Sequence, residues 1–125
     1  VDKTGGDLEI NSAVGTSLSQ EAGTVTINGS GGVAALAVRG GTCYYNTSGT
    51  LAGNPIVSGP GILDFSQDLR SKAVTNPIEV YGDAARIRDP HKVIAALVID
   101  GNEIKGNLSQ FEIGPNIRLT RGTPA

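Results

Sequence analysis

Short apolar strings of strand length recur along the whole chain and are separated by turn residues. One string, Val25-Thr26-Ile27-Asn28, alternates apolar and polar side chains, which is the pattern of a half-exposed strand. Between the strings stand glycine, proline, asparagine and aspartate, as in Asp100-Gly101-Asn102. Only two stretches, Ser66 to Ala73 and His91 to Ala96, offer a short turn of helix. The pattern therefore predicts an all-β fold.

A weak internal repeat runs through the second half. Asn54-Pro55-Ile56 returns as Asn76-Pro77-Ile78, and a similar step continues to Ile99 and then to Leu119. A period of about 20 to 22 residues is typical of a solenoid, in which each coil stacks its apolar side chains on the coil below. This interpretation predicts that Ile56, Ile78, Ile99 and Leu119 point inward and stack in register.

Residues 50 to 120 resemble the right-handed parallel β-helices of the pectate-lyase type, including those of bacteriophage tailspike and tail-fibre proteins. The resemblance rests on the repeat and on the corner sequence Asp100 to Asn107, where glycine and asparagine suit tight corners. It implies a structural module of a virion or extracellular surface that binds a host and assembles as a homotrimer.

An equally weighted alternative is a glycine-rich β-sandwich or barrel, in which Asn-Pro-Ile recurs by coincidence. Residues 1–53 fit the repeat poorly, because the step from Leu8-Glu9-Ile10 to Val25-Thr26-Ile27 is shorter than the period of the second half. We expect a single β-rich domain over residues 1–125, part of a longer chain, with residues 1–53 hairpin-like and residues 54–120 repeat-like.

Composition and charge narrow the function classes. The 125 residues include 18 glycines but no methionine or tryptophan, which fits turn-rich β structure. A net charge of −2 disfavours nucleic acid as a partner. The longest apolar run is far shorter than a membrane span, so no membrane insertion is expected. The charge is uneven, since residues 1–38 carry one lysine against four acids.

Single copies of cysteine and histidine limit the chemistry further. Cys43 and His91 are each unique, which excludes an internal disulfide and any centre built from several thiolates or histidines. Gly29 to Ala34 matches a dinucleotide-binding loop, but the following residues end at Arg39-Gly40-Gly41, too soon for the required helix. We therefore expect no cofactor and no metal.

Two sets of side chains remain as candidates for function. Asp64, Asp83 and Asp100 are the carboxylates for glycoside hydrolysis if the protein is an enzyme. Tyr44, Tyr45 and Tyr81 are candidates for stacking on a surface glycan. Since Tyr44 and Tyr45 are adjacent in a strand, one should be in the core and the other exposed.

The absence of a clear catalytic set favours binding over catalysis. The function expected is a non-catalytic structural and receptor-binding module of a phage tail fibre, a tailspike or a cell-surface fibre. The alternatives are a fragment of a polysaccharide-cleaving β-helix enzyme, which would use paired carboxylates, and a capsid-decorating or scaffolding β-barrel.

Overall fold

The computed structural model describes residues 2–11, 15–82, 84–94, 97–102, 105–106, 111–112, 117–120 and 123–124. These residues form strands, bridges and turns and contain no helix, which confirms the all-β prediction. The strands are β1 (Asp2–Lys3), β2 (Asp7–Ile10), β3 (Thr16–Gln20), β4 (Thr24–Ile27), β5 (Val33–Val38), β6 (Thr42–Tyr45), β7 (Ile56–Ser58), β8 (Ile62–Asp64), β9 (Ile78–Tyr81), β10 (Arg86–Arg88), β11 (Leu97–Asn102), β12 (Lys105–Gly106), β13 (Phe111–Glu112), β14 (Ile117–Thr120) and β15 (Thr123–Pro124).

Successive strands alternate between two parallel sheets. A seven-stranded sheet has the order β1-β3-β5-β7-β9-β11-β14, and a six-stranded sheet has the order β13-β10-β8-β6-β4-β2, while β12 and β15 pair separately. The pairings between these strands are parallel, which a sandwich or barrel made of hairpins would not give. The fold is a β-solenoid, the short parallel β-helix that the repeat predicted.

The first half of the chain belongs to the same two sheets as the second half. Leu8 pairs with Val25, and Val25 pairs in turn with Cys43. The hairpins expected for residues 1–53 are therefore replaced by parallel coils. Short corners make these first coils shorter than the coil that leads from Leu63 to its partner Ile87.

The repeat is displaced by one residue from the predicted stacking. Ile56 pairs with Glu79 rather than Ile78, and its neighbour Val57 pairs with Val80. Val57 is fully buried, whereas Ile56 is half-buried and lines an open groove of about 290 Å³ on the outer surface. The prediction that Ile56 points inward is wrong, because one extra residue in the coil reverses which side of the sheet a residue faces.

The rest of the predicted stack holds in register. Ile78 is buried and pairs with Ile99, which pairs in turn with Leu119. The side chains of Ile99 and Leu119 lie outside the described part of the structure.

The core lies between the sheets and is built from the inward positions of successive strands. In the six-stranded sheet, Val25, Cys43, Leu63 and Ile87 follow one another in register, and all four are fully buried. Burying an aliphatic side chain of this size contributes about 1.5–3 kcal/mol, so these columns hold successive coils together.

The two predicted helical stretches are turns. In Ser66 to Ala73 the Asp68 carboxylate accepts the backbone N–H of Arg70 at 3.0 Å, and Lys72 forms a β-bridge with Ile94. Such a local side-chain acceptor competes with helical hydrogen bonding. Residues 91–94 form a turn that ends in this bridge, and Ala95 and Ala96 lie outside the described residues.

Candidate functional site

The outer surface of the six-stranded sheet brings together two of the side chains selected from the sequence. Tyr44 on β6 pairs with Asp64 on β8, and Asp64 pairs with Arg88 on β10. Neighbouring strands are about 4.8 Å apart, so the three residues form a continuous line across the coils. We call Tyr44, Asp64 and Arg88 the outer row.

Asp64 is the fixed centre of the outer row. Its side chain is only 4% exposed. Its Oδ1 accepts the backbone N–H of Ser66 at 2.7 Å, and its Oδ2 lies 3.5 Å from Nη1 of Arg88. Arg88 keeps 46% of its side chain exposed. Asp64 therefore helps to orient the Arg88 guanidinium.

The three candidate tyrosines occupy three different environments. Tyr45 is in the core, where its hydroxyl donates to the Gly49 carbonyl at 2.8 Å and its ring packs edge-on against Phe65. Tyr44 is half-buried on the outer surface of the six-stranded sheet. Tyr81 is half-buried on the seven-stranded sheet, with its hydroxyl donating to Glu79 at 2.8 Å. Of the three, Tyr44 is the one that adjoins another candidate site residue in the described strand register.

The described residues include two of the three candidate carboxylates, Asp64 and Asp100. Asp64 belongs to β8 of the six-stranded sheet, and Asp100 belongs to β11 of the seven-stranded sheet. Asp83 lies outside the described residues. On the coil that carries β10, the side chain that contacts Asp64 is positively charged Arg88. The Asp64 carboxylate is therefore held by an arginine and by a backbone N–H.

Cys43 is isolated inside the core. Burial, together with the nearby negative charge of Asp64, raises the pKa of its thiol to about 12. A thiol with so high a pKa is not a nucleophile at neutral pH. Within the described residues no group of three histidine, cysteine, aspartate or glutamate side chains is placed to hold a metal ion.

An asparagine ladder, which the sequence analysis missed, follows the ends of β2, β4 and β6. Nδ2 of Asn28 donates to Oδ1 of Asn11 at 3.2 Å, and Nδ2 of Asn46 lies 3.5 Å from Oδ1 of Asn28 and 2.9 Å from Oε1 of Gln67. The signal was present in the chain, because an asparagine directly follows the last residue of β2, β4 and β6. Each amide ties its coil to the next.

A charged cluster ties the corners of three coils together. Nη2 of Arg70 donates to the carbonyls of Gly29 and Asn46, each at 2.9 Å, and its guanidinium pairs with Asp68. The hydrogen bonds from Arg70 lower the pKa of the Asp68 carboxyl to about 2. Burial lowers the pKa of Lys72, whose ammonium donates to the Arg70 carbonyl at 2.9 Å. The charged side chains of this cluster therefore hold the backbone of these corners in place.

Comparisons with protein families, curated proteins and solved structures found no match to this chain. No helix with the length and apolarity needed to cross a membrane occurs among the described segments.

Proposed function

We propose that this chain is a non-catalytic structural module of a viral or cell-surface fibre, and that the outer row attaches it to a surface glycan. The proposal includes a virion or extracellular location. The observation that carries it is the position of Tyr44, a half-buried ring next to a fixed carboxylate and an exposed guanidinium on one rigid sheet.

The chemistry of the outer row suits a sugar. An aromatic ring offers an apolar face for the C–H groups of a pyranose, while its hydroxyl remains available for hydrogen bonds. Arg88 adds a partly exposed positive charge, which suits a sugar carboxylate. Because the three residues stand on neighbouring strands, their spacing is set by the sheet and not by a mobile loop.

The construction of the solenoid supports a mechanical role. Parallel coils, an asparagine ladder and the Arg70 corner cluster are devices that join each coil to its neighbours. The separation of Asp64 and Asp100 onto different sheets supports binding over hydrolysis.

The test is binding of the tagged protein to an array of bacterial and animal surface glycans. We expect Tyr44→Ala to weaken binding at least about 10-fold, equivalent to about 1.4 kcal/mol. Tyr81→Ala is the matched control, because it removes the same ring from the other sheet, and binding should persist. Absence of any bound glycan, or equal loss in both variants, would contradict the proposal.

A second assay separates binding from catalysis. The bound glycan is incubated with the protein, and new reducing ends are measured. We expect none. Release of oligosaccharides that disappears in a folded Asp64→Asn variant would support the polysaccharide-cleaving alternative instead.

A further inference from the structure

The outer surface of the seven-stranded sheet carries a shallow groove that is separate from the outer row. The groove crosses β3, β5 and β7 and has a volume of about 290 Å³. Each of these three strands has a neighbouring strand on both sides in the sheet. The groove therefore belongs to the side of the solenoid and not to one of its ends.

Small outward side chains form the floor of the groove. Ser19 pairs with Ala37, and Ala37 pairs with Ile56, so these three residues lie side by side on neighbouring strands. Ala35, two residues before Ala37, faces the same side of the sheet and is exposed. Short side chains leave the space above the sheet open, whereas Ile56 rises beside them. The floor is mainly aliphatic.

Arg39 places a positive charge at one end of the groove. It directly follows β5, and its Nη1 donates to Oγ of Ser19 at 2.8 Å, while 45% of the Arg39 side chain stays exposed. The Ser19 hydroxyl accepts this bond, and no acceptor for its own hydrogen is found among the described residues. Ser19 and Arg39 therefore present donors at the same place, as a carboxylate requires.

The existing partner of Arg39 is a weak competitor for such a ligand. Oε1 of Glu21 lies 3.6 Å from Nη1 of Arg39, and the Glu21 side chain is 53% exposed. An ion pair this exposed contributes only about 0–1 kcal/mol. A ligand carboxylate that also bonds to Ser19 can therefore replace Glu21 beside Arg39.

Asn54 lies at the opposite end of the groove. Because Ala37 pairs with Ile56, Asn54 stands two residues before this pair and Arg39 two residues after it. Along extended strands these four residues span about 13 Å, which is the length of about four residues of an extended peptide. Asn54 is exposed, and its amide offers both donors and an acceptor. The groove thus suits a carboxylate, an aliphatic body and an amide in that order.

We propose that this groove binds the carboxyl-terminal end of an extended peptide whose last residue is aliphatic. The terminal carboxylate meets Arg39 and Ser19, the last side chain covers Ala37 and Ile56, and a preceding peptide group bonds to Asn54. A sugar is disfavoured, because the described lining residues include no aromatic ring for stacking. A fatty acid shares the carboxylate but has no peptide group for Asn54.

The test is a titration of the whole chain, followed by the nuclear magnetic resonance signals of its backbone amides. The probe is a mixture of N-acetylated tetrapeptides that end in valine, leucine or isoleucine. We expect saturable shifts at Ser19, Ala37 and Ile56. The same peptides as carboxamides lack the terminal charge and should bind at least about 10-fold more weakly.

Three variants assign the charge that is recognised. Arg39→Gln should weaken binding of the peptide acids at least about 10-fold. Glu21→Gln removes the competing carboxylate and should strengthen binding by up to about 5-fold. Lys92→Gln is the matched control, because it removes an exposed positive charge from the corner after β10, and it should bind like the wild type.

Several outcomes would overturn the proposal. They are equal binding of acids and carboxamides, wild-type binding by Arg39→Gln, weaker binding by Glu21→Gln, and the absence of shifts at the groove. Octanoate that binds there more tightly than the peptides would assign the groove to a fatty acid instead. The groove and the outer row lie on different sheets, so shifts at Ser19, Ala37 and Ile56 test this inference independently of the proposed function.

Discussion

Val57 and Ile56 are adjacent residues on opposite sides of β7, and truncating each of them tests the register of the solenoid. Val57→Ala removes two methyl groups from a fully buried position, which costs about 1.6 kcal/mol at about 0.8 kcal/mol per group. The void left behind adds about 1 kcal/mol where neighbours do not relax. Ile56→Ala removes a larger aliphatic group, but from a half-buried outer position, and should cost less than about 1 kcal/mol.

The assay is urea denaturation followed by far-ultraviolet circular dichroism, with free energies compared at equal denaturant slopes. We expect the loss of about 2–3 kcal/mol for Val57→Ala to exceed that for Ile56→Ala clearly. Size alone predicts the reverse order, because isoleucine loses more carbon atoms. A larger loss at Ile56 would refute the pairing of Val57 with Val80 and restore the alignment of the two Asn-Pro-Ile sequences.

Three further predictions concern the thiol, the corner cluster and the ladder. Cys43 should remain unmodified by Ellman's reagent in the native protein and should react fully in denaturant. A thiol introduced by Ser17→Cys at an exposed position should react at once. Rapid labelling of Cys43 in the native protein would contradict its burial. Because the folded pKa of Asp68 is about 2 against a usual 3.8, its ionised form stabilises the fold above about pH 4, and this contribution is lost as pH falls toward 2. The stability difference between wild type and Asp68→Asn should therefore shrink over that range in denaturation series at stepped pH, and a constant difference would count against the Arg70 contact. Asn28→Ala should lower the free energy of unfolding by about 1–2 kcal/mol, because it removes two ladder contacts. Asn76→Ala, at an exposed position, should lower it by less than about 0.5 kcal/mol. Equal thermal shifts in the two variants would show that the ladder adds no stability.

The local pattern of the sequence was sufficient for the strand class and for much of the burial. Alternation in β4 placed Val25 and Ile27 inside, and the adjacent tyrosines separated into a core Tyr45 and a half-buried outer Tyr44, as the alternation required. Side-chain direction in a strand depends only on parity, so it can be predicted without knowing which strands pair.

Pairing depends on coil length, and coil length varies with the corners. The short spacing from Leu8 to Val25 suggested a first half outside the repeat, yet it is itself one coil. The step from Leu63 to Ile87 is longer because the corner that contains Arg70 is longer. A search for one fixed period therefore detects the middle of the solenoid and misses its beginning.

The outer row could not be assembled from the sequence for the same reason. The step from Tyr44 to Asp64 is shorter than the step from Asp64 to Arg88, so no single period brings all three together. The residue that Asp64 meets on the next coil is Arg88. The identity of that residue depends on the register of β8 with β10, which is fixed by packing.

Disulfide trapping across β6 and β8 is the most direct test of the parallel register on which the solenoid rests. In a Cys43→Ala background, Thr42→Cys and Ile62→Cys place two thiols on Cα partners about 4.8 Å apart, within the range that a disulfide spans. Mass spectrometry after mild oxidation should show this bond in nearly all molecules, with none in the Thr24→Cys and Ile62→Cys pair, which is two strands apart. Efficient linkage of position 24 to position 62, or none between 42 and 62, would contradict the fold.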